Sequence, residues 1–74
     1  MNKIEEIKIT TDFIKLDSFM KLAQTVATGG EAKEAIQSGL VKVNGEVCTQ
    51  RGKKLVQGDT VEYRGLKFSV KNEN

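Results

Sequence analysis

Residues Ile36–Glu46 read IQSGLVKVNGE, and the spacing of apolar residues changes within them. Up to Gly39 the pattern is helical: Ala32, Ala35 and Ile36 form one stripe at i, i+3, i+4. From Leu40 onward the period is two, with Val41 and Val43 flanking Lys42. Glycine at 39 readily takes the left-handed backbone of a helix C-terminus, so it marks the junction between helix and strand. Asn44-Gly45 then supplies the two positive-φ residues of a hairpin turn. A strict two-residue turn would set Val43 opposite Glu46, whereas Val47 looks the better core partner. A bulge or wider loop is therefore expected here, with the register left open.

Toward the N-terminus, Thr28 and Glu31 stand three apart in the S/T-x-x-E arrangement that caps a helix. Before them, LDSFMKLAQTVA places Leu16, Phe19, Met20, Ala23, Val26 and Ala27 on one helix face, with Asp17 in the first turn, where the exposed N–H groups favour a negative charge. This first helix is expected to stop by Gly29-Gly30, the corner serving as C-cap and then N-cap. In IEEIKIT, Ile7 and Ile9 alternate as in a half-buried strand and Ile4 is one place out of phase. Beyond the hairpin, Gln57-Gly58-Asp59 and Arg64-Gly65 read as turns. Val61 and Tyr63 lie between them in one strand, and Leu66, Phe68 and Val70 alternate in the last. The tail KNEN, residues 71–74, is expected to fray. The pattern is α+β: two short helices joined by a tight corner, and strands joined by turns. One domain over 1–74 is expected, since nothing resembles a linker or a repeat.

Composition narrows the chemistry. A single cysteine, Cys48, and no histidine exclude an intramolecular disulfide, a Cys/His zinc cage and histidine proton transfer, so no metal or other cofactor is expected. No apolar run approaches the roughly 20 residues of a membrane span, and MNKIEEIKIT is too acidic for a signal peptide, which together point to a cytoplasmic protein. The net charge of +2 is unevenly placed: residues 1–36 carry −1 and residues 37–74 carry +3. Lys42, Arg51, Lys53 and Lys54 concentrate around the hairpin and the turn-like segment after it, where side chains and backbone N–H groups can meet a polyanion. A solvated charged loop is the plainer reading of the same residues.

Other constellations offer less. TGGE before a helix could present N–H groups to an anion, but its capping chemistry already explains it, and no G-K-[ST] follows to make a P-loop. Asp12, Asp17, Glu31 and Glu34 have ordinary surface and capping roles, and Cys48 lacks a base to activate it. Phe19 and Phe68 have core phase. Too few rings remain for a base-stacking platform.

Four segments in order resemble the RNA-binding domain named after ribosomal protein S-four, also called the αL motif: KLD at Lys15–Asp17, EAK at Glu31–Lys33, IQSGLVKVNGE at Ile36–Glu46 and GDTV at Gly58–Val61. The resemblance spans about residues 13–63. ATGGEAK and RGKKL are similar to the small stand-alone bacterial YaaA/YbcJ-type members. The resemblance implies an α+β fold, two short packed helices on a small, mainly antiparallel sheet, and a non-catalytic module binding structured RNA, ribosomal or transfer, in ribosome assembly or translation, with no small-molecule substrate and no membrane partner. Its implied phosphate contacts are Lys15, Lys33, Lys42, Arg51, Lys53 and Lys54. The family's Ser-Arg at the second helix is Thr28-Gly29 here, so the main helix-borne arginine is missing. The alternative function is a protein-interaction adaptor on the ribosome or another assembly.

Overall fold

A computed structural model describes residues 4–73. Its elements in order are β1 (Ile4–Ile9), β2 (Ile14–Lys15), α1 (Leu16–Leu22), α2 (Gly29–Gln37), β3 (Val41–Val43), β4 (Glu46–Val47), β5 (Lys54–Leu55), β6 (Thr60–Tyr63) and β7 (Leu66–Asn72). Five strands form one sheet in the order β1-β7-β6-β3-β4, and β2 pairs with β5 in a separate ribbon. All neighbours are antiparallel except β1 and β7, which run parallel. The fold is therefore α+β, with two helices packed on a mixed sheet.

Alternation along the strands sends one set of side chains inward. Val41 and Val43 are buried and Lys42 is exposed; Val61, Tyr63, Phe68 and Val70 also point inward. They share one core with Leu16, Phe19 and Met20 of α1, Ala32, Ala35 and Ile36 of α2, and Leu55 of β5. The alanines let α2 lie close to its neighbours. Burying each of the larger side chains contributes about 1.5–3 kcal/mol, and that burial orients the helices on the sheet.

Both helices end in the same way. At α2, Gly39 (φ 78°) donates its N–H to Ile36 O and Leu40 donates to Ala35 O, the paired bonds of a Schellman motif. At α1 the same pair runs from Gln24 to Lys21 O and from Thr25 to Met20 O, and the Thr25 hydroxyl donates to Met20 O as well. Helix α1 thus stops at Leu22, short of the expected Ala27, because Gln24 takes the left-handed conformation (φ 61°). Val26 still reaches the core, from a loop. The glycines differ from expectation too: Gly29 and Gly30 form the first turn of α2, with Thr28 as N-cap accepting the Glu31 N–H at 3.2 Å. Since a left-handed residue other than glycine costs about 1 kcal/mol, Gln24→Gly should raise stability by up to about 1 kcal/mol. The melting temperature would rise by about 4–8 °C, and an unchanged or lower value would show that the Gln24 side chain repays its backbone.

The hairpin keeps a strict two-residue turn. Asn44 (φ 53°) and Gly45 (φ 85°) form it, and Val43 pairs with Glu46 while Lys42 pairs with Val47. The expected bulge is absent because the turn geometry fixes the register. Val47, 56% exposed, lies on the outer face, and half-buried Cys48 packs against the core, its N–H bonded to Val41 O. Asn44 also ties the turn to the next one: its side chain donates to Asp59 Oδ1 and accepts from Thr60 N, and Asp59 Oδ2 accepts the Val56 N–H. The N-G and G-D motifs are thereby one hydrogen-bonded unit.

The segment expected to fray is strand as far as Asn72. Val70, Lys71 and Asn72 pair with Ile7, Lys8 and Ile9, and Glu73 donates to Ile9 O at 3.0 Å. Asn74 lies outside the described residues. Among those described, no helix is long and apolar enough to cross a membrane.

Candidate nucleic-acid interface

The segment after the hairpin is bolted to the start of α1. Ile14 pairs with Leu55 and Lys15 with Lys54; then Leu16 N donates to Lys53 O at 2.9 Å and Asp17 N to Arg51 O at 3.1 Å. Two of the N–H groups that a helix start leaves without partners are satisfied by carbonyls of this loop. A further carboxylate bond, Ser18 N to Asp17 Oδ1 at 2.7 Å, stiffens the same turn. Leu55, fully buried, anchors the loop from beneath.

This pairing gathers Lys15, Arg51, Lys53 and Lys54, four of the six expected cations. All four are exposed, and Lys15 and Lys54 stand directly opposite each other. Like charges so placed oppose folding. Among the described residues the ion pairs are Lys8–Glu73 at 3.9 Å and Lys67–Glu62 at 3.5 Å, so none of the six expected cations is matched to a carboxylate. Lys54 Nζ lies 4.8 Å from the centre of the Phe13 ring, a cation–π contact that holds the ammonium at the surface.

The other two expected cations are placed elsewhere. Lys33 is on the exposed face of α2, and Lys42 is on the outer face of the sheet between Val47 and Glu62. A cleft of about 430 Å³ runs between hairpin and loop, with Asn44, Glu46, Thr49, Gln50 and Lys53 on its walls. Two residues outside the six also sit at these surfaces. Phe13 is 40% exposed under Lys54, and a Cβ on Gly29 would lie 3.9 Å from Lys21 Nζ, so Lys21 brings a charge to the start of α2. The sequence signal for Lys21 is its position in the last turn of α1, visible only once that helix is known to end at Leu22.

The model of the S4 domain matches residues 7–71. The chain belongs to the S4 domain family. Within it, the chain is 43% identical over 67 residues to the "Probable ribosome maturation protein RlbA" of Bacillus subtilis (strain 168), covering 89% of this chain and 94% of that one. It is 40% identical over 57 residues to the YbcJ protein of Escherichia coli (strain K12), covering 77% and 81% of the two chains. The solution structure of Escherichia coli YbcJ, described as revealing an αL motif involved in RNA-binding, superimposes with a TM-score of 0.71 at 32% identity, covering 96% of this chain and 91% of that one. In this S4 domain the αL pattern has a physical basis: KLD and RGKKL are the two sides of the β2–β5 ribbon, and VNG and GD are the two ends of the Asn44–Asp59 link.

Proposed function

We propose that this chain is a non-catalytic module that holds structured RNA, ribosomal or transfer, by its phosphate backbone, in ribosome assembly or translation in the cytoplasm. Lys15, Arg51, Lys53 and Lys54 make the central contacts, and Lys33 and Lys42 make outlying ones. The observation that carries this reading is the Lys15–Lys54 pair, held face to face by backbone pairing with no carboxylate among the described residues in an ion pair with either. A phosphate between the two ammonium groups relieves their repulsion, and release of condensed counterions supplies much of the affinity. One arginine among six cations suits positioning on the backbone more than reading of base edges. The names of the RlbA and YbcJ relatives, one for ribosome maturation and one for RNA binding, support the same conclusion.

The test is a titration of structured ribosomal and transfer RNA fragments by fluorescence anisotropy at several salt concentrations. With about four phosphates contacted, affinity should fall on the order of 10²-fold between about 50 and 200 mM salt. Binding that ignores salt would remove the phosphate reading and favour a protein-interaction adaptor instead. A preference between the two RNA classes would name the target.

A further inference from the structure

The two edges of the main sheet differ in length. β4 is only Glu46–Val47, too short to recruit another strand, whereas β1 offers the six residues Ile4–Ile9. Its partner on one side is β7, and among the described residues no strand pairs with its other side. The Glu73 N–H bonds to Ile9 O, so the backbone groups of Ile9, and by alternation those of Ile7 and Glu5, turn toward β7. The N–H and C=O groups of Glu6 and Lys8 therefore turn outward along the open edge.

The side chains on this edge are arranged symmetrically about Ile7. Glu6 and Lys8 share the outer face of the sheet, and Ile7 is on the inner face, half-buried beside Val70. Within the sheet both charges are poorly matched. Glu6 faces Ser69, and Lys8 faces Lys71, a like charge, its one ion pair among the described residues being a long one, 3.9 Å to the half-exposed Glu73 carboxylate.

We propose that the open edge of β1 pairs antiparallel with β1 of a second copy of this chain, about a two-fold axis through Ile7, joining two five-stranded sheets into one. In this register Glu6 of each copy lies opposite Lys8 of the other, as two hydrogen-bonded pairs whose backbone groups are the ones that face outward. Ile7 meets Ile7 of the second copy on the inner face, at the close spacing of a non-hydrogen-bonded pair. Glu5 falls opposite Ile9, near the ends, where its carboxylate stays in water. Sliding one strand by two residues in either direction would oppose Glu6 to Glu6 or Lys8 to Lys8. Only the register centred on Ile7 brings unlike charges together, and the contacts it makes are identical on both chains, as a closed dimer requires.

Charge reversal tests this register. Sedimentation equilibrium of the unaltered chain across a dilution series should show a monomer–dimer equilibrium. Glu6→Lys and Lys8→Glu each turn both ion pairs into repulsions and should weaken association by about tenfold or more. An equimolar mixture of these two variants restores every unlike pair and should dimerise at least as tightly as the unaltered chain, as should the double variant Glu6→Lys/Lys8→Glu with itself. Recovery on mixing excludes misfolding as the reason for the single-variant loss. A chain that stays monomeric at every concentration, or a mixture no better associated than its components, would overturn the proposal.

Discussion

Truncating Leu55 to alanine should lower the melting temperature by more than about 10 °C. Leu55 is completely buried, and it belongs to a two-residue strand whose neighbours Lys54 and Val56 are both exposed. It is therefore the single apolar anchor of the segment that carries Arg51, Lys53 and Lys54. A buried leucine replaced by alanine loses its transfer energy and leaves a cavity, together about 2–5 kcal/mol. A 74-residue chain has about 4–11 kcal/mol of stability in all, so one substitution removes a large share of it. Val56→Ala, next in sequence but 47% exposed, should change stability by no more than about 0.5 kcal/mol. Equal effects of the two substitutions in thermal or urea unfolding would mean that β5 does not dock as described.

Replacing Arg51, Lys53 and Lys54 together by alanine should weaken RNA binding on the order of 10²- to 10³-fold at about 0.1 M salt. On the same counterion relation, the slope of log affinity against log salt should become shallower by about 2.7. The three side chains are exposed and, among the described residues, paired with no acid, so the fold should survive. Losing the Lys54–Phe13 contact costs about 0.5–1 kcal/mol, and relief of the Lys15–Lys54 repulsion offsets part of it. Lys67→Ala is the matching control, because Lys67 is already neutralised by Glu62; it should leave both affinity and slope nearly unchanged. If the triple substitution and the control weaken RNA binding equally, the cations act through overall charge and the site has been wrongly placed.

Local signals in the sequence identified those parts of the fold that local chemistry controls. The Thr28 cap, the helix end at Gly39, the alternation of Val41 to Val43 and the turns at Asn44-Gly45 and Arg64-Gly65 all follow from neighbouring residues, and the structure has each of them. The end of α1 was hidden because a glutamine, not a glycine, adopts the left-handed cap, and Gln24 has no sequence signal for that conformation. Val47 misled for another reason. Its hydrophobicity suggested the core, but turn geometry sets the register of a hairpin this short and gives the core-facing position to Cys48. The cations were individually visible as charges, yet their grouping depends on β2 and β5, strands of two residues each, in which no period can be read. Lys33 and Lys42 look equivalent to the others in sequence and are separated from them only by topology.

The parallel pairing of β1 with β7 joins positions 63 residues apart in the chain. Closing a loop of that length costs on the order of 3–4 kcal/mol in chain entropy before any contact rewards it. The helix pair and the two hairpins close much shorter loops and are expected to assemble first, leaving β1 without a partner until the final strand is in place. Contacts made after the folding barrier has been crossed do little to speed folding but must be broken before the protein unfolds. The first strand in the sequence is thus expected to join the sheet last, and substitutions that weaken its pairing with β7 should speed unfolding more than they slow folding, a difference read from the two limbs of a denaturant chevron.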